Sequence, residues 1–463
     1  MPVKWIGVLV AGLLLAGCNQ ASNAVSADSG AFEVVTNTGP VHEFRLKNGL
    51  KVLVREDHRA PVVVSQIWYK VGATYEHDGI TGVSHMFEHL MFKGTKNLKP
   101  GEFSRIISAN GGRENAFTGR DYTAYFQRLE KSRLEVSFRL EAERMRNLLF
   151  DDAEIEKERK VVMEERRLHT EDNPHSQTYE QFNATAFLSS PTRNPVIGWM
   201  RDLESLTKKD LQDWYRAWYA PNNATLVVVG DVDPLQVAKL ANKHFGPLQP
   251  STLAIDRERS EIKQMGERRI NLYLEAKVPY MIMGYKTPVL RTVEEDWEVY
   301  ALDVLASVLD GGSSARFARE IVRGSQVATS VGAGYSATSR LSGLFIFDGT
   351  PAAGKSLDDV ETAIEKQIER VKTELVSQQE LDRIKAQVAA AKVFEKDSMF
   401  YQGMQMGIME TVGLDWRILN SYDDRIKAVT PLQLQKVARK YLVTSQRTVA
   451  RLFPRAQKAA KAN

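Results

Sequence analysis

Cys18 is the only cysteine in this 463-residue chain, so no intrachain disulfide can staple the fold and a structural zinc site built on thiolates is excluded. The 62 basic and 58 acidic side chains are interspersed, for a formal charge of +4. A nucleic-acid binder would show a clustered basic stripe, which is missing. Low-complexity tracts are missing too, and the apolar stretch from Trp5 to Ala16 is too short to cross a bilayer comfortably as a helix. What remains is 43% apolar and 26% charged residues, the balance of a globular protein, over a length that calls for at least two cores.

Lys4 followed by that apolar stretch reads as a signal peptide over residues 1–17, ending in Leu15-Ala16-Gly17-Cys18, which resembles a bacterial lipobox. The expectation is a lipid on Cys18 and a membrane anchor. Asn19, in place of Asp, favours the outer membrane of a Gram-negative bacterium and a body in the periplasm. Residues 18–40, rich in Ala, Ser, Asn and Gly, read as a flexible tether, and 456–463 as a solvated basic tail.

Between these ends the pattern is α+β. Phe44-Arg45-Leu46, the turn Asn48-Gly49 and Leu50 to Val54 predict a hairpin, and Val62 to Val71 a further strand. Helices are predicted from Ser84 to Phe92, Ser132 to Leu149, Asp152 to His169 and Thr207 to Tyr219, before a turn at Pro221-Asn222-Asn223 and a strand from Ala224 to Val229. A helix opening at Thr430-Pro431 and a strand from Arg447 to Phe453 repeat that last order about 223 residues later (430 − 207). The expectation is an internal duplication: a first domain over 41–246, a linker over 247–267 and a homologous second domain over 268–455.

His85-Met86-Phe87-Glu88-His89 carries the chemistry. Residues four apart share a helix face, so both imidazoles can address one ion, and Glu88 stands beside it as a candidate general base. This H-x-x-E-H order marks the inverted zincins. A catalytic zinc needs a third protein ligand and an open position. The helix from Glu154 to Glu165 is so acidic that spacing alone does not choose among its carboxylates.

Around the motif lie Gly94-Thr95, Gly111-Gly112 with Asn115-Ala116, Thr123-Ala124-Tyr125 and Asn194-Pro195-Val196-Ile197-Gly198-Trp199. With these, the chain from Val41 to Pro454 resembles the pitrilysin/insulinase family of zinc metallopeptidases, particularly its half-length bacterial members and the beta subunit of the mitochondrial processing peptidase. The resemblance implies two similar domains, each a mixed sheet packed with helices, together forming half of a clamshell chamber. It also implies one zinc per chain held by His85, His89 and Glu165, since the family's glutamate follows the second histidine by about 76 residues (165 − 89). Glu158, two turns earlier, is implied as a supporting carboxylate. Asn115, Ala116 and Phe117 are implied to form an edge strand that pairs with an extended peptide substrate.

The implied activity is that of a metalloendopeptidase acting on peptides or small unfolded proteins, with Glu88 moving the proton. The likeness is imperfect in the second half. The family's substrate-holding arginine maps best to Arg319, but Gln326 lies seven residues on, and Thr329 takes the place of the expected tyrosine. A second subunit is therefore expected to complete the substrate grip, in a homodimer or with a non-catalytic homologue. The alternative is a catalytically silent lipid-anchored assembly or peptide-binding subunit of the same family.

Overall fold

The computed structural model describes residues 32–36, 39–253 and 259–455. The signal peptide, Cys18, most of the tether and the basic tail lie outside the described residues.

The first sheet contains β1 (Phe32–Thr36), β2 (Val41–Leu46), β3 (Lys51–Glu56), β4 (Val62–Tyr69), β5 (Arg113–Thr118), β6 (Thr123–Glu130) and β7 (Ala224–Gly230), in the order β1-β2-β3-β7-β4-β6-β5. The second contains β8 (Arg268–Leu274), β9 (Tyr280–Thr287), β10 (Ala328–Gly334), β11 (Gly343–Pro351) and β12 (Arg447–Pro454), in the order β10-β11-β9-β12-β8. Read from the other edge, the second repeats the first from β3 onward. The last strand of each repeat inserts parallel to the repeat's first strand and antiparallel to its second, β7 between β3 and β4, β12 between β8 and β9. The duplication expected from the sequence is thus a duplication of topology.

Helices of the first unit are α1 (Val83–Leu90), α2 (Glu102–Ala109), α3 (Leu134–Asn147), α4 (Asp152–Arg166), α5 (Pro174–Ala186), α6 (Met200–Ser205), α7 (Lys208–Trp218) and α8 (Pro234–Phe245). Those of the second are α9 (Trp297–Asp310), α10 (Leu357–Thr373), α11 (Gln378–Glu395), α12 (Met399–Thr411), α13 (Ile418–Ala428) and α14 (Pro431–Tyr441). α7 and α14 start with the same device: Thr207 and Thr430 each cap the third helical residue, Asp210 or Gln433, which reaches back to the cap N–H. Most predicted elements end within a few residues of their expected limits. The helix predicted to His169 stops at Arg166 and passes into a π-helical turn, Arg167–Glu171. Among the described residues no helix is long and apolar enough to cross a membrane.

The two units exchange cover. α5, from the first, lays Phe182 and Ala186 on Ile282, Leu344 and Ala450 of the second sheet. α12, from the second, lies on β4 and β7 of the first, with Met406 packed among Leu53, Trp68 and Val227. Gly403 and Gly407 put the backbone of α12 flat against the sheet: a Cβ at 407 would stand 2.1 Å from Trp68 Cε2, and one at 403 2.9 Å from Gln66 Nε2. Gln66 Nε2 in turn donates to Phe400 O at 2.9 Å. Exchanging Gly407 for alanine should therefore lower stability by about 2 kcal/mol, overpacking outweighing the roughly 1 kcal/mol that alanine adds to a helix. Chemical denaturation checks this, and a more stable variant would contradict the packing.

A second tie uses Arg340. Its buried guanidinium donates to Thr74 O at 2.9 Å and lies 4.0 Å from the centre of the Tyr75 ring, while its backbone N–H donates to Asp121. It fastens the second unit to the segment that leads into α1.

Candidate metal centre

α1 is only eight residues long, too short to be stable by itself, and the surrounding chain holds it on every side. Gly82 caps it in the left-handed conformation (φ 86°), and Gly198, also left-handed, packs against it so closely that a Cβ at 198 would lie 2.6 Å from Gly82 Cα. Trp199 N–H donates to Thr81 Oγ1. This explains Asn194 to Trp199 as the segment that closes over the helix start. The buried Glu76 accepts from the N–H groups of Gly82 and Ser84 at 2.7 and 2.8 Å, and burial raises its carboxyl to about 7. In the middle of the helix, Tyr125 of the Thr123-Ala124-Tyr125 segment donates its hydroxyl to Phe87 O at 3.1 Å. Phe87 is fully buried against Tyr215 and Tyr219.

Held this way, α1 presents His85 and His89 to α4. Glu165 Oε2 stands 3.7 Å from His85 Nε2 and 3.4 Å from His89 Nε2, and one ligand atom from each residue lies within 4.8 Å of the others. Bonds of about 2.0–2.2 Å in a tetrahedral site would set ligand atoms about 3.3–3.6 Å apart, so both Glu165 separations lie in or close to that range, and two imidazoles with one carboxylate form a donor set that suits zinc. Burial, and then the charge of His89, push His85 down to about 4, keeping its ring in the neutral form that ligates metal.

Glu158 lies one face-turn behind. Its Oε2 accepts from His89 Nδ1 at 3.2 Å, and Lys93 donates to its Oε1 at 2.7 Å. That bond fixes the His89 tautomer and leaves Nε2 with its lone pair free. His85 Nδ1, by contrast, is buried without a hydrogen-bond partner among the described residues. Glu158→Ala should weaken zinc binding about 10- to 100-fold. Competition with a chromophoric chelator measures it, and unchanged affinity would make Glu158 a packing residue only.

Glu88, on the same helix, is largely buried beside Thr118. Burial raises its carboxyl above the usual range and Glu165 adds to this, against the pull of Thr118 and His89. Asn115, Ala116 and Phe117 lie on β5, the outermost strand of the first sheet among the described residues, where it is hydrogen-bonded on one side, to β6. α1 packs against that strand. Arg319 lies elsewhere, on the π-helical turn Phe317–Val322, where it pairs with Glu320; Thr329 bonds to Thr350 O and Tyr335 to Pro288 O. Glu76, Lys93 and Thr118 escaped the sequence reading. Only Lys93 carried a signal, sitting four residues after His89, just beyond the end of α1.

A duplicated α+β chain whose first unit brings an H-x-x-E-H helix against an acidic helix defines an inverted-zincin class of metallopeptidase fold. The chain belongs to the insulinase family, peptidase family M16: residues 51–198 match the model for "Insulinase (Peptidase family M16)" and residues 205–388 that for "Peptidase M16 inactive domain". It is 33% identical over 425 residues to the zinc protease PqqE of Helicobacter pylori, covering 90% of this chain and 93% of that protein. A crystal structure of a protease from Helicobacter pylori superposes with a TM-score of 0.84 at 31% identity, over 89% of this chain and 99% of that one. A Pseudomonas fluorescens structure described as a peptidase M16 inactive domain shares the fold, with a TM-score of 0.80 at 16% identity over 90% of this chain and 98% of that one.

Proposed function

We propose that this chain is a zinc-dependent endopeptidase that hydrolyses peptides or small unfolded proteins in the bacterial periplasm. The observation that carries the reading is the convergence of His85, His89 and Glu165 on one point, with the Glu88 carboxylate alongside and used by none of them. When bound, zinc would supply a Lewis acid that polarises the scissile carbonyl and strengthens water as an acid. Glu88 takes the proton of the attacking water, for which a carboxyl raised above its ordinary range is suited, and returns it to the leaving amine. β5 offers its free edge to an extended substrate backbone. α9, which follows β9 as α1 follows β4, contains no histidine, in keeping with one ion per chain.

Arg319 and Thr329 match the family's substrate-holding pair only imperfectly, and a second subunit, either a copy of this chain or a non-catalytic homologue, would supply the missing grip. An anchor at Cys18 would tether the assembly to the outer membrane.

Metal analysis of the purified chain should give one zinc per chain. Cleavage of a mixed peptide library should stop on chelation and return with zinc. A zinc-loaded chain that cuts nothing, alone or with a candidate partner, would leave the silent-subunit reading. Size-exclusion with activity followed across the peak tests the partner, since full activity in the monomer would remove the need for one. Labelling with a radioactive fatty acid that survives Cys18→Ser would rule out the anchor.

A further inference from the structure

The two ends of β5 meet different surroundings. Its Thr118 end lies beside Glu88. At the other end Arg113 stands directly opposite Arg128 of β6. Like charges facing each other across a strand pair are unfavourable unless something anionic lies between them.

Among the described residues no carboxylate comes within ion-pairing distance of either guanidinium. Arg128 lies over the rings of Phe400 (4.4 Å) and Phe126 (5.7 Å) instead. The nearby acids are engaged elsewhere: Glu130 accepts from Ser132, and Asp397 pairs with Arg59. Both arginines line one open cavity of about 670 Å3, together with Val62, Val64, Leu129 and Phe400. Alternation along β5 puts Arg113, Asn115 and Phe117 on the same face, and Phe117 packs on Trp68, under α12. The cavity therefore carries three arginines, 59, 113 and 128, against two engaged carboxylates, Glu130 and Asp397, is partly apolar, and reaches β5 at Arg113.

From Thr118 back to Arg113 is five positions, roughly 17 Å, which an extended peptide covers in about five residues. Resting on the peptidase reading above, we propose that Arg113 and Arg128 form a specificity subsite for an acidic side chain of the peptide, about five residues from the bond that is cut.

The test uses the zinc-loaded Glu88→Gln chain, which separates binding from turnover, and fluorescent peptides amidated at the C-terminus with Glu, Gln or Lys placed at each position in turn. Glutamate at one position should bind about fivefold more tightly than glutamine, the scale of a partly exposed charge pair, and lysine more weakly. Arg113→Gln and Arg128→Gln should each flatten that preference, and Arg113→Glu should turn it toward lysine. A preference that survives both neutral variants, or equal binding of all three residues at every position, overturns the subsite. The unsubstituted chain reports separately. If it cuts no peptide while the charge preference in binding holds, the subsite stands and the peptidase reading falls. If it cuts peptides with no charge preference, the reverse follows.

Discussion

Replacing Glu88 with glutamine is expected to lower kcat about a thousandfold while zinc stays at one per chain and KM changes little. The amide matches the carboxylate in size, so α1 and the ligand atoms it carries should keep their places. What is lost is the ability to accept a proton. Among the described residues no other carboxylate near the ligand set is placed to take over that step: Glu158 is buried and held by His89 and Lys93, and Glu165 is a ligand candidate itself. Zinc analysis and steady-state kinetics on one preparation decide the matter. Full turnover would remove Glu88 from the reaction, and loss of zinc would make it a ligand.

Glu141→Gln should destabilise the first unit by about 3–5 kcal/mol, the scale of stranding a buried charge. Arg144 has no solvent exposure, and its guanidinium lies within 4.2–5.0 Å of the ring centres of Phe103, Tyr125 and Phe92. Among the described residues Glu141 is its ion-pair partner, through bonds of 2.7 and 2.5 Å. Burial, which would discharge the guanidinium, is outweighed by that carboxylate, and Arg144 titrates above its ordinary range. Gln127 donates to Glu141 as well, and Ser137 to Gln127, so the amide variant leaves a charge and part of a network unsatisfied. The double exchange Arg144→Met with Glu141→Leu should be far milder, since no charge is left behind. Urea denaturation of both variants tests the pair, and a loss under 1 kcal/mol for Glu141→Gln would contradict it. Because Tyr125 both packs on Arg144 and holds Phe87 O, peptide turnover should fall in step with stability.

The elements most legible in the sequence are those governed by local rules. The capping threonines 207 and 430 announce their helices through side chains three residues away, and the four-residue interval between His85 and His89 places both rings on one helix face whatever the fold does. Much less legible was the support of α1. Gly198 meets Gly82 because loops distant in the chain close on one another, and Glu76 folds back onto the helix start from six residues before Gly82; no periodic pattern records either. α12 had a trace of a signal, two glycines four residues apart, but which sheet it would cover depended on the other unit.

The sequence by itself determined the inverted-zincin motif, the α+β character and the repeat, because helix periodicity, caps and strand alternation are set within a few residues. The third carboxylate was different: in a helix where Glu154, Glu156, Glu158, Glu164 and Glu165 all compete, only the packing of α4 against α1 turns Glu165 onto the two imidazoles and Glu158 onto the far side of His89. The exchange of α5 and α12 between the units, and the facing arginines of β5 and β6, were likewise decided by tertiary structure. They follow from which surfaces remain uncovered once each sheet has formed, and that is a property of the assembled layers.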